Sequence, residues 1–381
     1  MVIIVGAGLV GAALAILLSQ LGIKVQLLER NAFAKPTIKD GRTIAVTLGS
    51  KRFLESCRLW QALEPTAQRI NHIRVFEQGS AWTLDYDYQD LGTDPMGYII
   101  EFDCLLNALF DGVKNAELIE VLDNSTLQRL LPGEVHTNEH GIIKAPLVIG
   151  ADGRNSWVRG QMHIKSKTKE YGHKALVAHF THEKPHQATA WEVFQPSGPF
   201  AMLPMVDTAD GQHQSGVVWC GPKDCPWETI PTAELEQKLM DIFPFYGKVR
   251  LNSTRWTFPL IALTVDKATA PRTVLVGDAA HALHPIAGQG VNLGWRDVAD
   301  IAQLLADAKD LGGDFGAEHL LNQYSRRRKL DHKGLYFFTD GLTRLFESDS
   351  QIVSFVRQTG LAVVGKIPPL KKFFMKKAMG V

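Results

Sequence analysis

The chain has 381 residues, 45% of them apolar and 21% charged, with a formal net charge of +1 at pH 7. That length suggests two domains with ample cores, and the near-zero charge argues against a general nucleic-acid binder, which carries a basic excess. Four scattered cysteines (Cys57, Cys104, Cys220, Cys225) form neither a CxxC pair nor a zinc spacing, so reduced thiols, a cytoplasmic location and no metal site are expected. The first strand begins at residue 2, which leaves no room for a signal peptide. No apolar run reaches the ~20 residues of a membrane span.

In chain order, residues 2–5 read as a short apolar strand and 10–21 as an apolar helix with small residues on one side. Gly22 stops that helix, and 24–29 reads as a second strand. This is a βαβ start with a parallel sheet. Residues 73–88 alternate, are rich in β-branched and aromatic residues, and carry Gly79-Ser80 as a hairpin turn. A helix is predicted over 98–111 and a buried strand over 142–150. From about 174 to 258 the chain is β-rich again, with a helix inserted at 232–243. Residues 291–307, 317–346 and the tail from about 350 read as helical. There is no internal repeat and no low-complexity linker. The pattern predicts an α/β protein in which a discontinuous Rossmann-like dinucleotide-binding domain (1–72, 97–172 and 255–330) carries an inserted, mostly antiparallel β-sheet domain for substrate (73–96 and 173–254). A helical C-terminal region (331–381) follows.

Three strand-to-turn motifs carry the chemistry. In VIIVGAGLVG, Gly6, Gly8 and Gly11 permit a tight turn, close approach of a pyrophosphate and close helix–strand packing. Leu9 and Val10 lie between the glycines, where the helix N-terminus turns its free N–H groups to the phosphates. Glu29 ends the second strand 18 residues after Gly11, where an acid accepts hydrogen bonds from adenosine ribose hydroxyls. Its charge tilts the site away from a 2′-phosphate. Arg30 either caps the adenine edge or is solvated. Arg42, in GlyArgThrIleAla, either reaches phosphate and ribityl oxygens or is a surface arginine.

The second motif, LeuValIleGlyAlaAspGlyArgAsnSerTrpValArg (147–159), places Asp152 just past a strand. A carboxylate there caps the next helix or holds basic residues near the pyrophosphate. The third motif is VLVGDAAHALHPIAGQGVNLG (274–294). Asp278 ends a buried strand and suits ribityl hydroxyls as an acceptor. Gly288 and Gly290 let backbone N–H groups approach a flat ring, and with Gln289, Val291 and Asn292 at the start of the next helix they would stabilise negative charge on a reduced flavin. Pro285 stiffens the wall beside the ring. His281 and His284 are either acid–base groups or structural, and His284 and Pro285 stand as the catalytic candidates. Arg296 and Asp297 read as helix surface or caps. Two such sites at opposite ends of one chain, with a third between, indicate a flavin dinucleotide.

These motifs, in this order and spacing, resemble the class A single-component flavoprotein aromatic hydroxylases, the family of para-hydroxybenzoate hydroxylase. GlyProPheAlaMetLeuPro (198–204), TrpThrPheProLeu (256–260), the 278–294 stretch and LysLysAlaMetGly (376–380) are similar to its ubiquinone-biosynthesis hydroxylase branch. The resemblance covers nearly the whole chain. It implies that Gly6, Gly8, Gly11, Glu29, Arg42 and Asp278 hold FAD, that Asp152 serves a motif linked to FAD and NADPH, and that residues 285–292 cradle the isoalloxazine. Near Phe102–Cys104 family members often carry an amide or arginine that touches FAD; here Phe102 and Asp103 stand there, a departure.

The implied activity is hydroxylation of an electron-rich ring, with a polyprenylated phenol of ubiquinone biosynthesis as the expected substrate. It would use tightly bound FAD, transient NADPH or NADH, and O2; the chain has one GxGxxG and so no second Rossmann domain. Trp191, Phe194, Phe200, Met202, Met205 and Trp219 either line a greasy pocket or are core. Competing readings are a same-fold flavin oxidoreductase acting on another aromatic, and a silent assembly subunit of a quinone-biosynthesis complex. In 366–381 five lysines and no acid surround Leu370, Phe373, Phe374 and Met375. That tail either docks weakly on the inner face of a membrane or packs on the body.

Overall fold

The structure, a computed structural model, describes residues 1–35, 40–79, 83–92, 94–282, 289–347 and 367–380. The opening unit is β1 (Val2–Val5), α1 (Leu9–Gln20) and β2 (Val25–Leu28). β3 (Thr43–Thr47) leads into α2 (Leu48–Ser56) and the single turn α3 (Trp60–Leu63). β4 (Gln68–Ile70), β5 (His72–Glu77), β6 (Thr83–Asp87) and β7 (Gly97–Glu101) precede α4 (Phe102–Lys114) and β8 (Ile119–Leu122). β9 (Leu127–Leu131), β10 (Glu134–Thr137) and β11 (Gly141–Lys144) form a small sheet, followed by β12 (Val148–Gly150) and α5 (Trp157–Gln161).

The second half begins with the long β13 (Ser166–His182), then β14 (Thr189–Gln195), β15 (Gly198–Pro204), β16 (His213–Pro222) and α6 (Thr232–Ile242). β17 (Val249–Leu251), β18 (Trp256–Val265), β19 (Thr269–Ala270), β20 (Thr273–Leu275) and β21 (His281–Ala282) follow. The chain closes with α7 (Gly290–Asp310), α8 (Glu318–Glu347) and α9 (Pro368–Met379).

A six-stranded sheet in the order β19-β20-β12-β1-β2-β8 is the dinucleotide scaffold, parallel throughout except β19 with β20. Its strands are nearly continuous apolar runs because both faces are covered. On one side the stripe of α1, with Leu14 and Leu18 at 0% exposure, packs onto it. A nine-stranded sheet lies beside it, in the order β21-β18-β13-β16-β15-β14-β5-β6 with β17 on β13. All its pairs are antiparallel except β14 with β5. β3, β7 and β4 form a second small sheet between these two layers.

Two predicted elements are corrected. The helix predicted over 98–111 begins only at Phe102; its first residues are β7, whose apolar Tyr98, Ile99 and Ile100 pair with β3 and are buried. The single strand predicted over 142–150 is two strands in different sheets. Pro146, which has no N–H to donate, falls between them. All four cysteines are free thiols. No helix among the described residues is long and apolar enough to cross a membrane.

Candidate functional site

The turn after β1 is built by contacts only glycine allows. A Cβ on Gly11 would overlap the Gly6 carbonyl, and one on Gly6, at φ +102°, would lie 2.6 Å from the Ala151 carbonyl oxygen. Gly8 is the N-cap of α1 with no side-chain cap, so the first N–H groups of that helix remain available. Glu29 is tied to this turn: its Oε2 accepts from Ala7 N at 2.9 Å and its Oε1 from Asn31 N at 3.1 Å. Each oxygen keeps a further lone pair. Arg30 is exposed.

Val10 and Leu9 join the first motif to the third. A Cβ on Gly277 would meet Val10 at 3.0 Å and one on Gly294 would meet it at 2.7 Å, so the valine sits in a notch of two glycines. The Leu9 carbonyl accepts from Trp295 Nε1 at 3.1 Å. Asp278 follows Gly277. Its side chain is open to solvent yet ringed by protein; burial pushes its carboxyl upward, and His281, Arg42 and Arg154 pull the other way.

Asp152 takes the capping alternative. Its two oxygens accept from Ser156 Oγ at 2.6 Å and Val158 N at 3.0 Å, and Ser156 in turn accepts from Arg159 N. Arg159 then reaches across, donating to the Ala279 carbonyl at 2.9 Å and the Arg154 carbonyl at 2.8 Å. This arginine fastens the second motif to the third.

α7 starts at Gly290 after Gln289, again with no side-chain cap. Asn292 is 1% exposed and spends its amide on β3, accepting from Thr47 N at 3.1 Å and donating to the Ala45 carbonyl at 2.8 Å. Val291 is half-buried. His284, Pro285 and Gly288 lie outside the described residues. Arg42 pairs with Asp40 and lies 4.4 Å from the Phe102 ring centroid and 5.3 Å from that of Phe258. The departure at Phe102 therefore supplies a platform for this guanidinium.

Behind the third motif lies a charged cluster that corrects the surface reading of Asp297. This residue is 0% exposed. Its Oδ2 accepts from His281 Nε2 at 2.6 Å and Gly277 N at 2.9 Å, and its Oδ1 from Arg328 Nε and His332 Nε2, each at 2.7 Å. Burial pushes the carboxyl up, but the two imidazoles outweigh it and hold it well below the usual range. Arg328 continues to Asp300 and Asp331, and the half-buried Arg296 also reaches Asp331 at 2.8 Å. The His281–Asp297–His332 triangle has the spacing of a metal site, but a guanidinium and a backbone N–H already fill the carboxylate, so it is an ion-pair cluster. The sequence did hold a signal: Asp297 is four residues from Leu293 and from Ile301, on the buried stripe of α7.

Phe200, Met202, Trp219 and Trp191 pack under α6, away from the motifs, and are core. Met205 lies in a different cluster with Leu48, Ile99, Met375 and Met379.

The residues present fit FAD. A Cβ added to Gly8, Gly153 or Gly290 meets no atom of the described residues within 4 Å, so among these residues all three turns show bare backbone. A family model described as "FAD binding domain" matches residues 1–336, and the chain belongs to that family. It is 38% identical, over 100% of its length and 89% of the relative, to the "Ubiquinone hydroxylase UbiL" of Rhodospirillum rubrum. It is 30% identical, over 99% of its length and 98% of the relative, to the "3-demethoxyubiquinol 3-hydroxylase" of Escherichia coli. Among solved structures, p-nitrophenol 4-monooxygenase PnpA of Pseudomonas putida superposes with a TM-score of 0.80 at 17% identity, covering 99% of this chain and 97% of that one. The protein is an FAD-dependent aromatic-ring hydroxylase.

Glu29→Ala is expected to raise the FAD dissociation constant roughly 10- to 100-fold, because a charge-assisted acceptor typically contributes about 1.5–3 kcal/mol. Fluorescence titration of the variant reads this directly; an unchanged constant would leave Glu29 as a brace for Ala7 alone.

Proposed function

We propose that this enzyme hydroxylates the ring of a polyprenylated phenol on the route to ubiquinone. The observation that carries the reading is the end-to-end match to a ubiquinone hydroxylase at 38% identity. FAD, reduced by NADPH or NADH, supplies the electrons and O2 activation that place one oxygen atom on the ring. The protein's part is positioning. The open N–H groups of α1 would hold the pyrophosphate, Glu29 would accept from ribose hydroxyls, and Asp278 would accept from the ribityl chain. The uncapped start of α7 favours negative charge on the reduced ring. Arg42 and Arg154 neutralise charge beside Asp278. We assign 1–72, 97–172 and 255–330 to FAD binding, 73–96 and 173–254 to the substrate sheet, and 331–381 to a helical region. In support, all six strands of the parallel sheet fall in the first set, which also lends β18, β21 and the first residues of β13 to the nine-stranded sheet.

Incubation of the holoenzyme with NADPH, O2 and a panel of prenylated phenols is expected to give a product 16 mass units heavier. NADPH consumption with no hydroxylated product from any phenol would instead favour a plain oxidoreductase, and absence of both a silent subunit.

We also propose weak peripheral membrane contact at the cytoplasmic face, within a quinone-biosynthesis assembly. α9 divides its residues: Met375 and Met379 are buried, and Lys371 pairs with Asp90 at 2.6 Å. Lys372 and Lys376 are exposed and could meet a lipid surface. Replacing Lys372 and Lys376 by Ala is expected to weaken binding to anionic vesicles about 30-fold at low salt, at ~1 kcal/mol per lysine, with an unchanged Tm. Equal flotation of variant and parent would leave α9 as packing only.

A further inference from the structure

Strand register lays a single row of side chains across the nine-stranded sheet: Leu84, Val75, Glu192, Ala201, Val218, Val177 and Trp256. Side chains of a strand alternate between faces, so this row and its next-but-one neighbours share one face. The opposite face is closed by α6, whose Leu235 and Leu239 bury Val193, Phe200, Met202 and Val217. The Glu192 face looks toward the cofactor scaffold. Ala190, two residues before Glu192, is buried with Leu48 of α2 and Ile99 of β7. Gly216, two residues before Val218, comes within reach of Thr43 on β3, whose atoms would lie 3.3 Å from an added Cβ. Trp256 packs against Gly41, next to Arg42. β3 is the strand whose Ala45 and Thr47 are clamped by Asn292 of the third motif.

In the middle of this row Val75, Glu192, Ala201 and Val218 are only half-buried, although they sit on central strands of a large sheet. Their face of the sheet turns toward β3 and α2, so the accessibility they keep lies on the scaffold side. Glu192 is the one acid of the row, and no described residue offers its carboxylate a hydrogen bond or ion pair. A carboxylate that has no protein donor and is only partly open to water favours a ligand that brings a donor.

We propose that Glu192 accepts the hydrogen bond, and then the proton, of the substrate's ring hydroxyl. This rests on the reading that the substrate is a phenol. The phenol O–H bond breaks, an O–H bond forms on a Glu192 oxygen, and the electron pair stays on the ring oxygen. The ring becomes richer in electrons at the carbons ortho and para to it, where an electrophilic oxygen is added. No oxidant beyond O2 and the reduced nicotinamide is needed. Burial pushes the Glu192 carboxyl up to about 8, close to working pH, where a base is efficient. Ionisable groups on this face include Glu77 on β5, Tyr86 on β6, Cys220 on β16, and His173 and His179 on β13, the latter bonded to the Gly41 carbonyl; Arg42 also faces it, over Phe258. Burial raises Tyr86 to about 12 and keeps Cys220 protonated. β3 brings no titratable residue, and α9 brings Met375 and Met379.

The test compares binding of 4-hexylphenol and its methyl ether, 4-hexylanisole, to FAD-loaded enzyme by flavin fluorescence. The parent is expected to prefer the phenol at least 10-fold above pH 8, and E192L to bind both alike with its FAD affinity intact. E192Q, nearly isosteric, is expected to keep part of the preference. It should lose the rise in kcat/KM through about pH 8 and at least 100-fold in rate. Equal binding of the two probes by the parent, or discrimination retained in E192L, would overturn the assignment even if the parent hydroxylates phenols. If the parent prefers the phenol, E192L does not, and no hydroxylated product forms, Glu192 stands as the phenol acceptor and the hydroxylase reading falls.

Discussion

Asp297→Ala is expected to cost about 3–5 kcal/mol of stability and to weaken FAD binding at the same time. The size follows from what the substitution leaves behind. Arg328 is 5% exposed and His281 1% exposed. Arg328 keeps Asp300 and Asp331, but His281, His332 and the Gly277 N–H all lose the acceptor they share, and removing the central partner of a buried ion-pair cluster costs that much. The coupling to FAD follows from Gly277, whose N–H is held by Asp297 at 2.9 Å and whose neighbour Asp278 is the residue we assign to the ribityl chain. Because the folded carboxyl lies well below its ordinary value, its contribution is fully present above about pH 4. It fades as pH falls toward the lowered value, so the deficit should be complete at neutral pH. Thermal unfolding followed by circular dichroism should show Tm falling by about 5–10 °C. A loss under about 1 kcal/mol would mean the cluster's other acids, Asp300 and Asp331, absorb the charge of Arg328.

Gly11→Ala and Gly8→Ala should separate fold from cofactor. At Gly11 the new methyl would collide with the Gly6 carbonyl on one side and approach the Ala151 methyl at 3.1 Å on the other. The first contact is backbone, so α1 must move off the sheet. Overpacking of this kind costs about 1–3 kcal/mol, and the displaced helix N-terminus is expected to raise the FAD dissociation constant at least 100-fold. At Gly8, with φ −71°, a methyl meets no atom of the described residues within 4 Å. Gly8→Ala should therefore leave the Tm of cofactor-free protein unchanged and weaken FAD alone. Equal FAD affinity in Gly8→Ala and parent would show that the cofactor does not pass over that turn.

What the sequence made legible was local. The run from Val2 to Glu29 declares a strand, a glycine turn, a helix and an acid, and each was where its spacing put it. The misread stretches depended on partners far away in the chain. Tyr98–Ile100 is an apolar run that suits a helix as well as a strand until β3 is there to pair with it. Asp297 looks like a surface acid until Arg328 and His332 arrive from α8. Likewise Trp191 and Phe194 suggest a greasy pocket, and nothing in their composition marks out the acid between them. Only register, which sets Trp191 on the α6 face and Glu192 on the other, tells the two sides apart.

The order of strands in the central sheet bears on how the protein is made. β12 lies between β1 and β20, and β20 emerges about 125 residues after β12. At about 5–20 residues per second, a growing chain exposes one apolar edge of β12 for roughly 6–25 s. Val10 cannot find its notch until Gly277 and Gly294 have left the ribosome. FAD therefore has no complete site until both glycines have emerged, and loading is expected only from that point. Until then the open edge of Val148–Gly150 is where a half-made molecule is most exposed to pairing with a neighbour.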